Sequence, residues 1–166
     1  FQRGLALCEH MGAQQGMALC LNNLGLVAQD LDEYARAREL HQRSYILSLE
    51  TGQPHWQASS LQYLGAALTR LQAYSQAQRV LRKALKLYRS LGADRGTVLT
   101  LTALGQLACS MGEYDRSCKY LRRAAYLALK KRQTDVLLET LAASLELWHA
   151  VRNGSDPRLE TWLRTL

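Results

Sequence analysis

The side chains best suited to nucleophilic, acid–base or metal chemistry are four histidines, His10, His41, His55 and His149, and four cysteines, Cys8, Cys20, Cys109 and Cys118. Covalent catalysis needs a nucleophile, a base and a group that orients the base. A structural zinc site needs closely spaced Cys or His ligands. The histidines are scattered, none with a carboxylate and a nucleophile at useful spacing, and the cysteines form no CxxC pair. Nor does any HExxH, GxSxG or GxxxxGK[ST] segment occur. The expectation is a protein that is not an enzyme and holds no metal or cofactor. The cysteines read as buried thiols of an intracellular protein. A Cys8–Cys20 or Cys109–Cys118 bridge across a helical hairpin would need an oxidising setting, for which nothing else in the sequence argues. Trp56, Trp148 and Trp162 read as gap fillers or end caps rather than as a ligand cage.

What remains is recognition by polar side chains, and the elements that would carry them show in a repeat. Asn23-Leu24-Gly25 returns forty residues later as Tyr63-Leu64-Gly65, and again as Ala103-Leu104-Gly105. At the same interval Leu31, Leu71 and Met111 fall in register, as do Tyr34, Tyr74 and Tyr114, then Ala37, Ala77 and Ser117, then Leu47, Leu87 and Leu127. Gly12, Gly52 and Gly92 close successive units. Leu21, Leu24 and Ala28 lie at i, i+3, i+7 and share one helix face. Gly25, Gly65 and Gly105 fall inside helices, where glycine costs about 1 kcal/mol relative to alanine. Their recurrence predicts a neighbouring helix packed too close for a Cβ. The tyrosines follow short turns and are expected to wedge between the helices of a hairpin.

The pattern predicts an all-α chain of antiparallel hairpins: a second helix over 1–11, hairpins 14–31/34–51, 54–71/74–91 and 94–111/114–131, and a first helix over 134–151. Leu145 replaces the glycine of the last unit, and Asn153-Gly154-Ser155-Asp156-Pro157 replaces its short turn. Leu159, Trp162, Leu163 and Leu166 suit a last short helix over 158–166, capped by Asp156 with Pro157 in its first turn. In repeat terms the 166 residues form a single domain: a partial repeat 1–12, full repeats 13–52, 53–92 and 93–132, and a partial or capping repeat 133–166. No hairpin buries its apolar face alone, so neighbours must stack. A slight rotation per unit would wind them into a right-handed superhelical solenoid.

These residues resemble the tetratricopeptide repeat family. Its bulky, two free, Leu-Gly, two free, bulky pattern maps onto Leu21-Asn22-Asn23-Leu24-Gly25-Leu26-Val27-Ala28. Its later small residue, followed four on by an apolar one, maps onto Ala77 and Leu81 and onto Ser117 and Leu121. His41 departs from it and is expected to be a satisfied histidine between helices. Leu21, Leu61 and Leu101 replace tryptophan, and the helix-ending proline is absent. The forty-residue period is similar to that of kinesin light chain, of Leu-Gly-Asn-type polarity adaptors and of bacterial multidomain regulators.

The resemblance implies that the first helix of each hairpin lines a concave groove that binds a protein or peptide segment. Its groove positions correspond to Asn22, Leu26 and Gln29; to Gln62, Ala66 and Thr69; to Thr102, Gln106 and Cys109; and to Glu139, Ala142, Glu146 and His149. Asn23 and Tyr63 precede the Leu-Gly pairs of the first two units. An asparagine there implies a hydrogen bond to a peptide backbone, since an amide both donates and accepts. Asn22 and Asn23 are the candidates; the second and third units carry Gln62-Tyr63 and Thr102-Ala103 instead.

The formal charge is +7, and no acid occurs from Thr51 to Ala93 against six basic residues. Arg79, Arg82, Lys83, Lys86 and Arg89, and then Arg116, Lys119, Arg122, Arg123, Lys130, Lys131 and Arg132, lie on second helices, which face outward in such a solenoid. That surface could meet phosphates or an acidic domain. Without interleaved aromatics or a recognised motif, a solvated basic face is the simpler reading, and a nucleic-acid contact there is the weakest of the alternatives.

There is no basic-then-apolar leader before Phe1, and no apolar run of the ~20 residues that crosses a bilayer. The expectation is a cytoplasmic piece of a longer chain, without a membrane partner. It would be the regulatory or sensing arm of a larger bacterial regulator, with other domains of that chain as possible partners. The alternative is a constitutive scaffold or adaptor. Phe1, Leu5 and Leu7 would leave an apolar N-terminal end open to self-association.

Overall fold

The structure, a computed structural model, describes residues 1–153. It is all-α, with no strand among the described residues, and falls into two compact units, Phe1–Ala93 and the residues from Asp94 onward. The first holds α1 (Gln2–His10), α2 (Gln14–Asp30), α3 (Tyr34–Glu50), α4 (Pro54–Arg70) and α5 (Tyr74–Ser90). The second holds α6 (Asp94–Ser110), α7 (Tyr114–Lys130) and α8 (Thr134–Asn153). The helices match the expected ones to within a residue or two. The expected helix 158–166 and the turn residues before it lie outside the described residues.

One local device sets the rhythm. Gly12, Asp32, Gly52, Gln72, Gly92, Gly112 and Arg132 recur every twenty residues, and each has φ between 53° and 73°. In this left-handed conformation the chain reverses, and the next N–H reaches back to a carbonyl of the last helical turn. Glu33 N bonds Ala28 O at 2.8 Å, Gln53 N bonds Ser48 O at 3.0 Å, and Ala73 N bonds Leu68 O at 2.9 Å. Glycine takes this conformation freely, whereas Asp32, Gln72 and Arg132 take it at a cost. Since every stop is the same, α2 to α7 are all 17 residues long.

In the first unit α2 packs on α3, α4 on α5, α3 on α4 and α1 on α2; in the second, α6 packs on α7 and both pack on α8. Among the described residues, no helix is long and apolar enough to cross a membrane. Each needs only a stripe of apolar side chains, shared with its neighbours.

The helical glycines do as their spacing predicts. A Cβ on Gly25 would stand 2.5 Å from the His41 ring, and one on Gly105 would stand 2.7 Å from Leu121. Leu81 crowds Gly65 in the same way. The small residue lies on the first helix of each hairpin and the large one on the second. In α8 the glycine column carries Leu145, which is exposed together with Leu138 and Leu141. The tyrosines after the turns are half-buried. Tyr114 packs against the buried cluster of Cys118, Leu121, Ala143, Leu147 and Val151, whereas the Tyr34 hydroxyl bonds Asp32 and its ring lies 5.0 Å beneath the Arg70 guanidinium.

Candidate ligand-binding surface

A chain of buried hydrogen bonds underlies the first-helix surface of the first unit. His41, fully buried, enters from α3 in a column filled by Leu81 and Leu121 in the other hairpins. Its Nδ1 lies 3.0 Å from Asn22 Oδ1 on α2, and its Nε2 lies 2.9 Å from Gln29 Nε2. An amide oxygen can only accept and an amide nitrogen can only donate, so the ring carries its proton on Nδ1 and accepts at Nε2. Asn22 Nδ2 donates to Ser60 Oγ of α4 at 3.0 Å. Ser60 and Ser44 hydroxyls are 2.9 Å apart, and Ser44 donates to Ala18 O at 2.8 Å. Ser44 has one hydrogen, so Ser60 donates to Ser44. Every hydrogen therefore points the same way from Gln29 to Ala18, and every group has its partner.

The chain also sets the surface above it. Gln29 Nε2 donates to Tyr63 O at 3.2 Å, and the Tyr63 ring sits 5.4 Å from the His41 ring. Burial drives the His41 pKa down to about 4, because a charged ring there would lose its hydration. At neutral pH the ring is therefore neutral, the only state in which Nε2 accepts from Gln29.

Above this layer α2 presents Leu19, Asn23, Leu26 and Asp30, spaced i, i+4, i+7, i+11 and so on one stripe. Leu19 and Asp30 are exposed, while Asn23 and Leu26 are half-buried. The same columns of α4 bring half-buried Tyr63 and Ala66 and exposed Arg70. This strip has apolar patches, an amide, a phenol and a charge of each sign at one end. It can take side chains of a polypeptide and bond its backbone; it holds no reactive pair.

The second unit repeats the plan with different chemistry. Thr102 and Thr140 hydroxyls lie 3.0 Å apart, buried between α6 and α8. Outside them Gln106 Nε2 donates to Glu146 Oε2 at 3.2 Å, both residues being exposed. Glu139 and His149 are exposed as well. Cys109 is half-buried, and burial followed by the charge of Glu146 raises its pKa. Among the described residues, no three His, Cys, Asp or Glu side chains converge as a metal site would require.

The expected groove residues thus divide. Asn23, Leu26 and Tyr63 lie partly open on the first unit; Gln106, Glu139, Glu146 and His149 lie open on the second. Asn22, Gln62, Thr69 and Thr102 are buried, and Gln29 is half-buried with its amide nitrogen engaged. Asn22 is the most deeply buried of them. At 2 % exposure it stands on the flank of α2, where α3 and α4 meet it, and both ends of its amide are bonded inside the protein. Thr102 lies on the equivalent flank, and Thr69 folds back to bond Gly65 O at 2.9 Å.

Ser44 and Ser60 were not anticipated. For Ser60 the signal in the sequence was a polar column at the repeat interval, Ser60, Thr100 and Thr140, alongside a second one, Asn22, Gln62 and Thr102. Asn22 to Ser60 and Thr102 to Thr140 both span 38 positions. Leu19 was missed too, because an exposed leucine looks like core until burial is known.

Arg79, Arg82, Lys83, Lys86 and Arg89 are all exposed on α5. Lys83 bonds the Tyr45 hydroxyl and lies 5.0 Å from the centre of that ring. On α7, Lys119, Arg122, Arg123 and Lys130 are exposed, while Arg116 pairs with Glu113 at 2.7 Å. At the N-terminal end Phe1 and Leu7 are exposed and Leu5 is half-buried.

Compared with known families, residues 16–90 match the model of the tetratricopeptide repeat. No curated protein matches the chain.

Proposed function

From the premise that residues 16–90 are tetratricopeptide repeats, we propose that the α2–α4 surface binds a polypeptide segment, with Asn23, Leu26 and Tyr63 as its principal contacts. Tetratricopeptide repeats mediate protein–protein interaction and are typically not enzymes. The observation that carries this reading is the layering of the first unit. Tyr63 is held from below through its carbonyl and its ring by Gln29 and His41, so it is ordered before any ligand arrives. A side chain fixed in advance loses little entropy on binding. Asn23 offers a donor and an acceptor to a peptide backbone, and Leu19 and Leu26 offer apolar contact beside it. Asp30 and Arg70 would orient a peptide through its end charges.

On this reading the chain works as the sensing arm of a larger cytoplasmic regulator, as its likeness to the repeats of bacterial multidomain regulators suggests. Gln106, Glu139, Glu146 and His149 would give the second unit its own preference, for basic or hydrogen-bonding residues. The test is selection from a phage-displayed library of random peptides, followed by titration of a selected peptide against Asn23→Ala and Tyr63→Ala. Each substitution should weaken binding about tenfold, the scale of a contact worth roughly 1–2 kcal/mol. Selected peptides whose affinity ignores both substitutions would overturn the assignment.

A further inference from the structure

The α1–α2 pair carries a crossed arrangement that the binding surface does not use. Gly4 and Cys8 lie at i, i+4 on one face of α1; Gly16 and Cys20 do so on α2. Each sulfur lies over the glycine of the other helix. A Cβ on Gly16 would meet Cys8 Sγ at 2.6 Å, and one on Gly4 would meet Cys20 Sγ at 3.3 Å. The two glycines thus make the room in which the two thiols face one another. Both cysteines are free and only half-buried. From these placements we propose that Cys8 and Cys20 are a redox modification site, closed to a disulfide by low-molecular-weight disulfides such as oxidised glutathione.

The proximity of the thiols registers in the acidity of Cys20. Burial raises the Cys20 pKa, and the charge and hydrogen bonding of Cys8 raise it further. Cys109 and Cys118 show no such mutual influence: burial and neighbouring Glu146, Arg122 and Asp115 account for theirs. The equivalent positions one repeat on, Ser44, Ser48, Trp56 and Ser60, carry no thiol.

The reaction balances without any group from the protein beyond the two thiols. A thiolate of the pair attacks one sulfur of the small disulfide. The sulfur–sulfur bond breaks, one small thiol leaves, and a mixed disulfide remains. The second cysteine, deprotonated, attacks the protein sulfur of that mixed disulfide and expels the second small thiol. The protein loses two hydrogens and two electrons, and the small disulfide gains them. A raised Cys20 pKa slows the reaction at neutral pH, since the thiolate is the nucleophile.

The bridge would change α1. That helix has no buried residue, so the thiol form holds it weakly. Oxidation would pin it to α2, beside the surface that carries Leu19 and Asn23.

The test uses the full chain, reduced and then incubated with oxidised glutathione, with remaining thiols blocked by N-ethylmaleimide. A protease that cuts after Glu9 separates the Cys8 fragment from the Cys20 fragment. The expected result is that these two fragments stay joined, at a mass two hydrogens lower, until dithiothreitol is added. Amide exchange in α1 should slow by about a hundredfold, as cross-linking a loop of this length implies. In Cys20→Ser, Cys8 should instead keep its glutathione adduct. Fragments that separate in the wild type, or a glutathione adduct as persistent in the wild type as in Cys20→Ser, would overturn the proposal.

Discussion

His41 Nδ1 donates to Asn22 Oδ1 across 3.0 Å, in a space where neither side chain reaches water. The bond fixes which ring nitrogen carries the proton and which way the amide lies, and so fixes the rest of the chain to Ser44. A polar group buried with its partners costs little, whereas one stripped of its partner costs about 1–3 kcal/mol. Asn22→Ala should therefore destabilise the protein by about 1–3 kcal/mol, leaving the His41 N–H without an acceptor. Asn23→Ala, one residue along, should change stability by less than about 0.5 kcal/mol, as surface substitutions usually do. Urea unfolding of the two variants checks this.

Acid should act through the same ring. The folded pKa of His41 is about 4, below its ordinary 6.5. Between these values the unfolded chain takes up a proton that the folded chain refuses, so stability rises with pH. The contribution is complete above pH 6.5, falls as pH drops through the window and is lost at about pH 4. Its size is roughly 3 kcal/mol, from about 1.4 kcal/mol per pH unit. Unfolding free energies of wild type and His41→Leu, measured from pH 4 to 7, should diverge by this pH-dependent amount.

Glycine to alanine inside a helix ordinarily stabilises by about 1 kcal/mol. At Gly25 the sign should reverse. The new Cβ would meet three atoms of the His41 ring at 2.5 to 2.8 Å, and hydrogen bonds at both nitrogens hold that ring in place. Overpacking of this kind costs about 1–3 kcal/mol. A lowered melting temperature for Gly25→Ala is the expected reading.

At the turns the advantage runs toward glycine. Gln72 holds φ 59°, a region that disfavours residues with a Cβ by about 1–2 kcal/mol. Gln72→Gly removes that strain and adds some chain entropy to the unfolded state. The net gain should be about 0.5–1 kcal/mol, measurable by thermal unfolding.

The hairpins could be read in the sequence because their determinants repeat. Gly25, Gly65 and Gly105 mark close approaches to the second helix of a hairpin, and Gly52 and Gly92 mark left-handed turns. Asp32, Gln72 and Arg132 make the same turn with no comparable mark, because their residue types give no sign of a positive φ. The candidate face was legible only in outline. Asn22 and Asn23 are neighbours of one type, yet 100° of helix rotation puts one against Ser60 and leaves the other partly open. That difference depends on how two hairpins pack, which neither hairpin encodes alone. His41 stood out as a departure from an apolar column, but Ser44 and Ser60, its remote partners, look like ordinary small residues.

Because the hydrogens run in one direction from Gln29 through Asn22 into Ser60, the two hairpins of the first unit are not interchangeable parts. The first hands its last amide proton to a hydroxyl that only the second supplies. A gene duplication that set α2–α3 beside a copy of itself would place Cys20 where Ser60 stands. Such a copy would inherit the donor without its matched acceptor, so polarity as well as shape limits how these modules can be shuffled.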